Sequence, residues 1–231
     1  MDAEQSWREA INMATAEQMV RRGLRPEPRP AGVERVEEVP RRRVELPAVA
    51  DPAPLGLAAF ALTTFLLSVR NAGWTDGGAA WLGFAFAYGG VAQLLAGMWE
   101  FRKGNVFGAT AFSTYGAFWI GLGLYSLLAE GGSPNVMNDL AWIMVAFAIF
   151  NTYMLLWSTR MSVAVFLVFL ALEATEIVLA VGFFQASDTV VKAGGIVGVV
   201  TAAVAWYASA SGVVNGMAQR TVLPVGGPFW R

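Results

Sequence analysis

Six apolar stretches follow one another between Pro52 and Gly216, and they constrain the fold more than any other feature of this sequence. Each is about as long as the ~20 residues that a helix needs to cross the ~30 Å hydrocarbon layer of a membrane. The stretches run over 52–69, 79–99, 106–129, 140–159, 161–187 and 193–218. Because backbone groups inside a bilayer must be hydrogen-bonded internally, the sequence predicts an all-α bundle of six transmembrane helices.

The positions of lysine and arginine predict how this bundle is oriented. Short loops that are rich in these residues stay in the cytoplasm. With a cytoplasmic N-terminus, the inner segments hold fourteen of the sixteen basic residues. Nine of them precede Pro52, and the others are Arg102, Lys103, Arg160, Arg220 and Arg231. We therefore expect a multi-pass protein of the cell membrane, plasma or inner, with both termini in the cytoplasm.

Three regions follow from composition. Residues 1–50 are charged and dotted with proline, so the sequence predicts a largely disordered cytoplasmic leader, with a weak surface helix over 3–22. This leader is either an idle tail or a regulatory or lipid-contacting arm that uses the basic triplet at 41–43. Residues 51–219 form the predicted six-helix membrane domain, and residues 220–231 form a cytoplasmic C-terminal tail.

Several chemistries are unavailable to this chain. It contains no cysteine and no histidine, which removes thiol chemistry, the usual proton carrier at neutral pH and most transition-metal sites. The sequence also shows no nucleophile and base pair and no phosphate-binding loop. We expect no enzymatic activity, no metal, no cofactor and no nucleic-acid partner, and we expect membrane lipid as the surrounding partner.

The first apolar stretch opens with the segment Asp51-Pro-Ala-Pro-Leu-Gly-Leu57. Proline suits the first helical turn, and Asp51 is a natural acceptor for the free N–H groups there. A helix N-terminus also carries partial positive charge and can receive a carboxylate. The segment is therefore either a well-started helix or part of an anion-binding site.

A second block, Tyr88 to Trp119, combines dense glycines with polar side chains at membrane depth. The glycines favour close helix packing. Gln93, Ser113, Thr114 and Tyr115 must pair across helices or face a watery path, because an unpartnered polar group is costly there. Packing is the default for the serine and the threonine, whereas Gln93 and Tyr115 favour a path.

These residues resemble the acetate uptake transporter family, which includes bacterial succinate–acetate permeases and yeast acetate and ammonia export proteins. The segment 51–57 is similar to its Asn-Pro-Ala-Pro-Leu-Gly-Leu signature, 88–119 to its second motif, and Arg220 to Val225 to its C-terminal ending. The resemblance implies six-helix subunits that assemble as homohexamers. Each subunit would have its own pore for acetate, other small monocarboxylates and, in some members, succinate.

The resemblance also implies a pore constriction formed by Phe60, Tyr115 and Leu172. Apolar side chains of this kind resist water and bare ions by dewetting. The Tyr115 hydroxyl would then act as a donor to a substrate carboxyl group, with Gln93 as a second partner. Further candidates for the substrate pathway are Thr114, Asp51 and Leu55. Aspartate at position 51 stands where the family has asparagine, which adds negative charge near the inner mouth.

Glu173 and Glu176 are the only charges inside the apolar stretches. Glu173 lies ~18 Å along the fifth helix, near the bilayer middle, where a carboxyl group must be paired or protonated. Residues four apart share a helix face, so Glu176 lies on the side of Leu172 while Glu173 points about 100° away. We interpret Glu176 as a proton-linked site and Glu173 as a contact between helices or subunits. Carboxyl groups that serve packing alone are the alternative.

The predicted bundle, the uncharged candidates for the pore lining and the family resemblance together favour a channel or transporter for acetate and similar carboxylates, passive or proton-coupled; the resemblance implies the substrate. Within transport, the alternative is movement of ammonia or ammonium, which Asp51 and Glu176 could attract as acidic groups. A membrane sensor or scaffold that uses the leader is an alternative from another class.

Overall fold

The computed structural model describes residues 17–23, 49–129 and 134–230. The chain divides into two units, residues 1–47 and residues 48–231. In the first unit the described residues form a helical stretch over 17–21. The predicted disorder of the leader, the basic triplet and most of the predicted surface helix over 3–22 lie outside the described residues.

The second unit contains six helices that are long and apolar enough to cross a membrane. They are α1 Ala53–Asn71, α2 Ala79–Lys103, α3 Val106–Ala129, α4 Val136–Ser158, α5 Val163–Phe184 and α6 Asp188–Ala218. The predicted all-α fold is confirmed, since the described part of the chain has no strand, and this is a multi-pass membrane protein. Helix α6 begins at Asp188, before the predicted start at 193. The apolar pattern missed this beginning because it contains the charged residues Asp188 and Lys192.

Short polar side chains and one glycine set the helix boundaries. The Ser162 hydroxyl accepts a hydrogen bond from the Val165 N–H at 3.3 Å and so starts α5. Gly104 ends α2 with a φ of 79°, a left-handed conformation that favours glycine. These tight ends make α2 and α3, and likewise α4 and α5, antiparallel neighbours.

Helix α2 contains a π-helical segment over Ala85–Ala92, which the sequence analysis did not predict. Two adjacent glycines let the wide turn fit between neighbouring helices. A Cβ atom added to Gly89 would lie 2.6 Å from the Thr63 hydroxyl of α1, and one added to Gly90 would lie 2.6 Å from the Ile120 side chain of α3. The α-helical geometry resumes at Gln93.

Four helix pairs provide most of the packing of the bundle: α1–α6, α5–α6, α4–α5 and α2–α3. Helix α1 packs mainly on α6, where the Ser209 hydroxyl donates to the Pro54 carbonyl oxygen at 2.7 Å. Helix α5 lies against α4 and α6, and the hydroxyls of Thr175 and Thr201 are 2.9 Å apart in a buried contact with α6. Helices α2 and α3 approach closely at Gly97. The largest buried cluster lies at the centre and contains residues of all six helices, most of them from α1, α3 and α5.

Residues 220–230, predicted as a tail, pack on the bundle. The Ala164 N–H donates to the Val225 carbonyl oxygen, and the Phe229 N–H donates to the Thr159 carbonyl oxygen, each at 2.9 Å. The Asn215 side chain accepts from the backbone at 222 and 223, at 2.7 and 2.9 Å. This segment therefore lies at the same end of the bundle as Arg102, Lys103 and Arg160, which we call the basic end. That the basic end faces the cytoplasm stays a prediction.

Candidate functional site

Phe60, Tyr115 and Leu172 meet in the central buried cluster, and we call these three the constriction cluster. They come from α1, α3 and α5, and each is at most 8% exposed. The rings of Phe60 and Tyr115 meet edge to face with their centroids 5.8 Å apart. The structure therefore brings together the three side chains that the family resemblance implied for a constriction.

The Tyr115 ring is fixed by further aromatic contacts. Its centroid lies 5.4 Å from that of Phe150 and 5.8 Å from that of Phe147, both on α4, and 6.2 Å from that of Phe118 on α3. Such edge-to-face and tilted contacts are favourable for aromatic rings. Because the ring is held on several sides, the direction of its hydroxyl group is set by the packing.

A chain of hydrogen-bonding side chains starts at this hydroxyl, and we call it the polar chain: Glu176, Tyr115, Asn151, Glu173 and Thr152. The Tyr115 hydroxyl lies 3.1 Å from Asn151 Oδ1 and 3.3 Å from Glu176 Oε1. The Asn151 amide nitrogen donates to Glu173 Oε2 at 2.6 Å, and the Thr152 hydroxyl lies 2.8 Å from Glu173 Oε1. The chain links α3, α4 and α5.

Asn151 is the functional candidate that the sequence analysis missed. Its side chain is fully buried in α4, and its amide nitrogen also donates to the Phe169 carbonyl oxygen of α5 at 2.9 Å. The signal was present in the sequence, because an amide at membrane depth is costly without partners, as was argued for Gln93. What the sequence could not show is which helices supply those partners.

The two glutamates occupy different surroundings, as their separation on the helix predicts. Glu176 is 4% exposed and lies with Leu172 on the side of α5 that faces Tyr115. Glu173 is half-buried and bonds to two side chains of α4. Their proposed roles, proton linkage for Glu176 and contact for Glu173, stay predictions.

The remaining pathway candidates are placed unevenly. Gln93 is 1% exposed, directly after the π-helical segment, and within the described residues its Oε1 has no hydrogen-bond partner. Thr114 is half-buried on α3. Leu55 is 45% exposed, so it lies on the outer surface of this chain and not with the constriction cluster.

Asp51 lies exposed at the basic end, where its charge is balanced. Its Oδ1 accepts from the Ala53 N–H at 3.0 Å and lies 2.8 Å from the Lys103 ammonium group. The helix N-terminus and the lysine therefore offset the negative charge that aspartate adds at this position. This arrangement weakens the expected repulsion of an anion.

Six membrane-spanning helices around a buried apolar cluster and a polar chain form the fold of a helical membrane transport protein. The chain belongs to the GPR1/FUN34/yaaH family, whose sequence profile matches residues 37–226. It is 41% identical to Acetate permease A of Emericella nidulans over 203 residues, which cover 80% of this chain and 68% of that protein.

Two further comparisons cover nearly the whole of the matched protein. The Succinate-acetate/proton symporter SatP of Escherichia coli K12 is 34% identical over 180 residues, covering 77% of this chain and 96% of SatP. The solved structure of the bacterial acetate channel SatP superposes with a TM-score of 0.75 at 34% identity. That match covers 78% of this chain and 100% of the solved chain. These three relatives are thus named as a permease, a symporter and a channel.

Proposed function

We propose that this protein is a membrane pathway for acetate and other small monocarboxylates, with succinate as a further candidate, and that the pathway passes the constriction cluster. The observation that carries the proposal is the meeting of three buried side chains at the centre of the bundle next to titratable and amide groups. The names of the relatives support the substrate class.

The chemistry of this centre suits a small acid. Aromatic and aliphatic walls resist water and bare ions, whereas acetate presents a methyl group to such walls. Its carboxyl group requires polar partners in a dry passage. Glu176 and Tyr115 supply polar atoms at the constriction, and Gln93 is a buried amide on α2 with a free acceptor oxygen among the described residues.

Glu176 is the proposed proton-linked group of this pathway. It is buried, it lies next to the Tyr115 hydroxyl, and it faces the constriction cluster. A buried carboxyl group of this kind can gain and lose a proton as substrate passes, which would couple transport to a proton gradient. Glu173 is bonded to α4 and is proposed to hold α4 and α5 together.

The test is uptake of labelled acetate by proteoliposomes, with and without an inward proton gradient. We expect uptake above that of empty liposomes, and we expect the Glu176→Gln variant to lose the response to the gradient. Tyr115→Ala opens the constriction, so the preference for acetate over a bulky acid such as benzoate falls by roughly tenfold. The matched control is Tyr153→Ala, since Tyr153 is 47% exposed on α4 and should not alter this preference. Absence of uptake by folded wild-type protein would sink the proposal.

Two alternatives are distinguished by simple variants of this assay. Movement of ammonia or ammonium predicts uptake of labelled methylammonium that acetate does not affect. A sensor or scaffold predicts that deletion of residues 1–45 abolishes the cellular activity, whereas a transporter keeps most of its flux without them.

We also propose that the protein works as an assembly of identical chains, a homohexamer by the family resemblance. Thr152 is exposed and Glu173 is half-buried on the surface formed by α4 and α5, at membrane depth. Polar groups there are costly against lipid, so a second copy of the chain is a better neighbour. Native mass spectrometry of the detergent-solubilised protein tests this, and a monomer alone would contradict it.

A further inference from the structure

The Tyr115 hydroxyl has fewer protons to donate than it has acceptor oxygens around it. A tyrosine hydroxyl carries one proton, and two acceptor oxygens lie within hydrogen-bonding distance of it. These are Asn151 Oδ1 at 3.1 Å and Glu176 Oε1 at 3.3 Å. A single proton shared between the two oxygens would give two weakened, three-centre contacts. Each contact is a full hydrogen bond only if one of the two neighbours brings a proton of its own.

Asn151 cannot bring that proton. Its amide nitrogen has two N–H groups. One donates to the Phe169 carbonyl oxygen at 2.9 Å, which can only accept, and the other donates to Glu173 Oε2 at 2.6 Å. A flipped amide would point its oxygen at the Phe169 carbonyl oxygen, so the observed orientation is the one that the network permits. Asn151 Oδ1 therefore faces Tyr115 and accepts the hydrogen bond that the Tyr115 hydroxyl donates.

Glu176 is then left without a donor. Within the described residues its second oxygen, Oε2, has no hydrogen-bond partner, and Oε1 faces only the Tyr115 oxygen. A buried carboxylate with no donor is strongly unfavourable. Glu173 differs, because the Asn151 amide donates to it directly. The titratable groups that face Glu176 are Tyr115 on α3, 3.3 Å away, and Glu173 on its own helix.

We infer that Asn151 is a positioning residue that accepts the hydrogen bond of the Tyr115 hydroxyl. Tyr115 therefore faces the constriction as an acceptor, and Glu176 is protonated and donates to it. The direction of hydrogen bonding is from Glu176 to Tyr115 to Asn151. The amide group of Asn151 does not pass protons on as a hydroxyl does, so Glu173 is separated from this exchange although it lies at the end of the same polar chain.

The inference rests on the proposed function for its meaning in transport. A carboxylate that reaches the constriction meets the lone pairs of Tyr115. The donor at this point is the Glu176 O–H group, which must turn from Tyr115 to the substrate. This differs from the sequence-based expectation that Tyr115 itself donates to the substrate. The arrangement favours a substrate whose carboxyl group is protonated, or a carboxylate that accepts a hydrogen bond from the Glu176 O–H group.

Infrared difference spectroscopy of the wild-type protein in lipid tests the protonation directly. A neutral carboxyl group has a C=O stretching band that a carboxylate lacks. We expect such a band at neutral pH, with a component that is lost in Glu176→Gln. In Tyr115→Phe the proton stays but loses its acceptor, so the band moves to higher frequency. The matched control Tyr153→Phe should leave the band in place.

The role of Asn151 is tested by Asn151→Leu. Without the amide, the Tyr115 hydroxyl proton can turn to Glu176 and stabilise its carboxylate, so we expect the Glu176 band to be lost at neutral pH. If this variant does not fold, the wild-type band and its shift in Tyr115→Phe still decide the direction of the hydrogen bonds. A wild-type spectrum without a Glu176 band, or a band that Tyr115→Phe does not move, overturns the inference. Either result leaves acetate uptake, and hence the proposed function, to be judged separately.

Discussion

Asp51 shows how a charge at one residue is offset by its neighbours. Its carboxylate lies 2.8 Å from the Lys103 ammonium group, and the two side chains are 54% and 38% exposed. An exposed ion pair of this kind contributes about 0–1 kcal/mol to stability, and less at high salt. The hydrogen bond that Asp51 Oδ1 accepts from the Ala53 N–H does not need a charged group, because the side-chain oxygen of asparagine can accept it as well.

We therefore predict that Asp51→Asn changes the free energy of unfolding by less than about 1 kcal/mol. It leaves Lys103 without its counter-charge at the basic end, so acetate uptake at low concentration should rise modestly at low ionic strength. Thermal unfolding in detergent and uptake at two salt concentrations measure the two effects. Loss of uptake in a stably folded Asp51→Asn protein would show instead that the carboxylate takes part in transport.

At the residue scale, motifs fix the positions of two of the three candidates for the constriction, whose role stays a prediction. The segment at 51–57 and the glycine-rich block place Phe60 and Tyr115, and the structure brings both together with Leu172. Asn151 was missed because no motif surrounds it and its partners lie on two other helices, which only the tertiary arrangement defines. Leu55 was assigned to the pathway from its motif alone, and its exposure depends on packing that the motif does not encode.

Helices α2 and α3 depend on glycine for their close approach. A Cβ atom added to Gly97 would lie 2.7 Å from the Ser113 backbone nitrogen, and a backbone atom cannot move aside as a flexible side chain can. Gly83, on the same helix, has no atom within 4 Å of the corresponding position. The same substitution therefore has opposite consequences at the two sites.

We predict that Gly97→Ala lowers the free energy of unfolding by about 1–3 kcal/mol through overpacking. Gly83→Ala is the matched control and should be neutral or stabilising by up to about 1 kcal/mol, because alanine favours the helix. Unfolding followed by tryptophan fluorescence in detergent measures both. Equal effects of the two substitutions would mean that the helix contact at Gly97 is looser than the structure shows.

The elements themselves were largely predictable because apolar length alone defines a membrane-spanning helix. The π-helical segment in α2 was not, since α- and π-helices share the same apolar composition and differ only in hydrogen-bond register. The first turn of α6 was also missed, because Asp188 and Lys192 lie in a helix that extends beyond its apolar stretch. An apolar pattern therefore reveals neither the hydrogen-bond register within a helix nor how far a helix continues beyond its apolar part.

At the scale of the whole molecule, the segment after α6 ties several helix ends together. The Asn215 side chain accepts from the backbone at 222 and 223 and donates to the Leu223 carbonyl oxygen at 2.8 Å. The Tyr207 hydroxyl donates to the Pro224 carbonyl oxygen at 2.6 Å. These bonds hold Val225 and Phe229 against the start of α5 and the end of α4.

We predict that Asn215→Leu destabilises the protein by about 1–3 kcal/mol, because it leaves backbone groups of the segment without their partner. The C-terminal segment should then become accessible to protease while the helices stay protected. Limited proteolysis followed by mass spectrometry measures this. Tyr207→Phe removes a single bond and should have a smaller effect, and the reverse order would contradict the assignment of Asn215 as the main anchor.

The orientation of the whole bundle follows from charge alone, so it can be tested independently of the site. Arg102, Lys103 and Arg160 lie at the basic end, whereas Arg70 and Lys192 lie at the other. The positive-inside rule places the basic end in the cytoplasm. The chain has no cysteine, so single cysteines can be introduced without background reactivity.

Asp76 is exposed in the connection between α1 and α2, and Arg102 is exposed near the end of α2, so the two positions lie at opposite ends of one helix. We predict that a membrane-impermeant thiol reagent labels Asp76→Cys in intact cells and labels Arg102→Cys only after permeabilisation. The unmodified chain is the control and should stay unlabelled. The opposite labelling pattern would show that the basic end faces the outside of the cell. Asp51 and Lys103 would then lie at the outer mouth, so that a substrate arriving from outside would meet that ion pair before it reaches the constriction cluster.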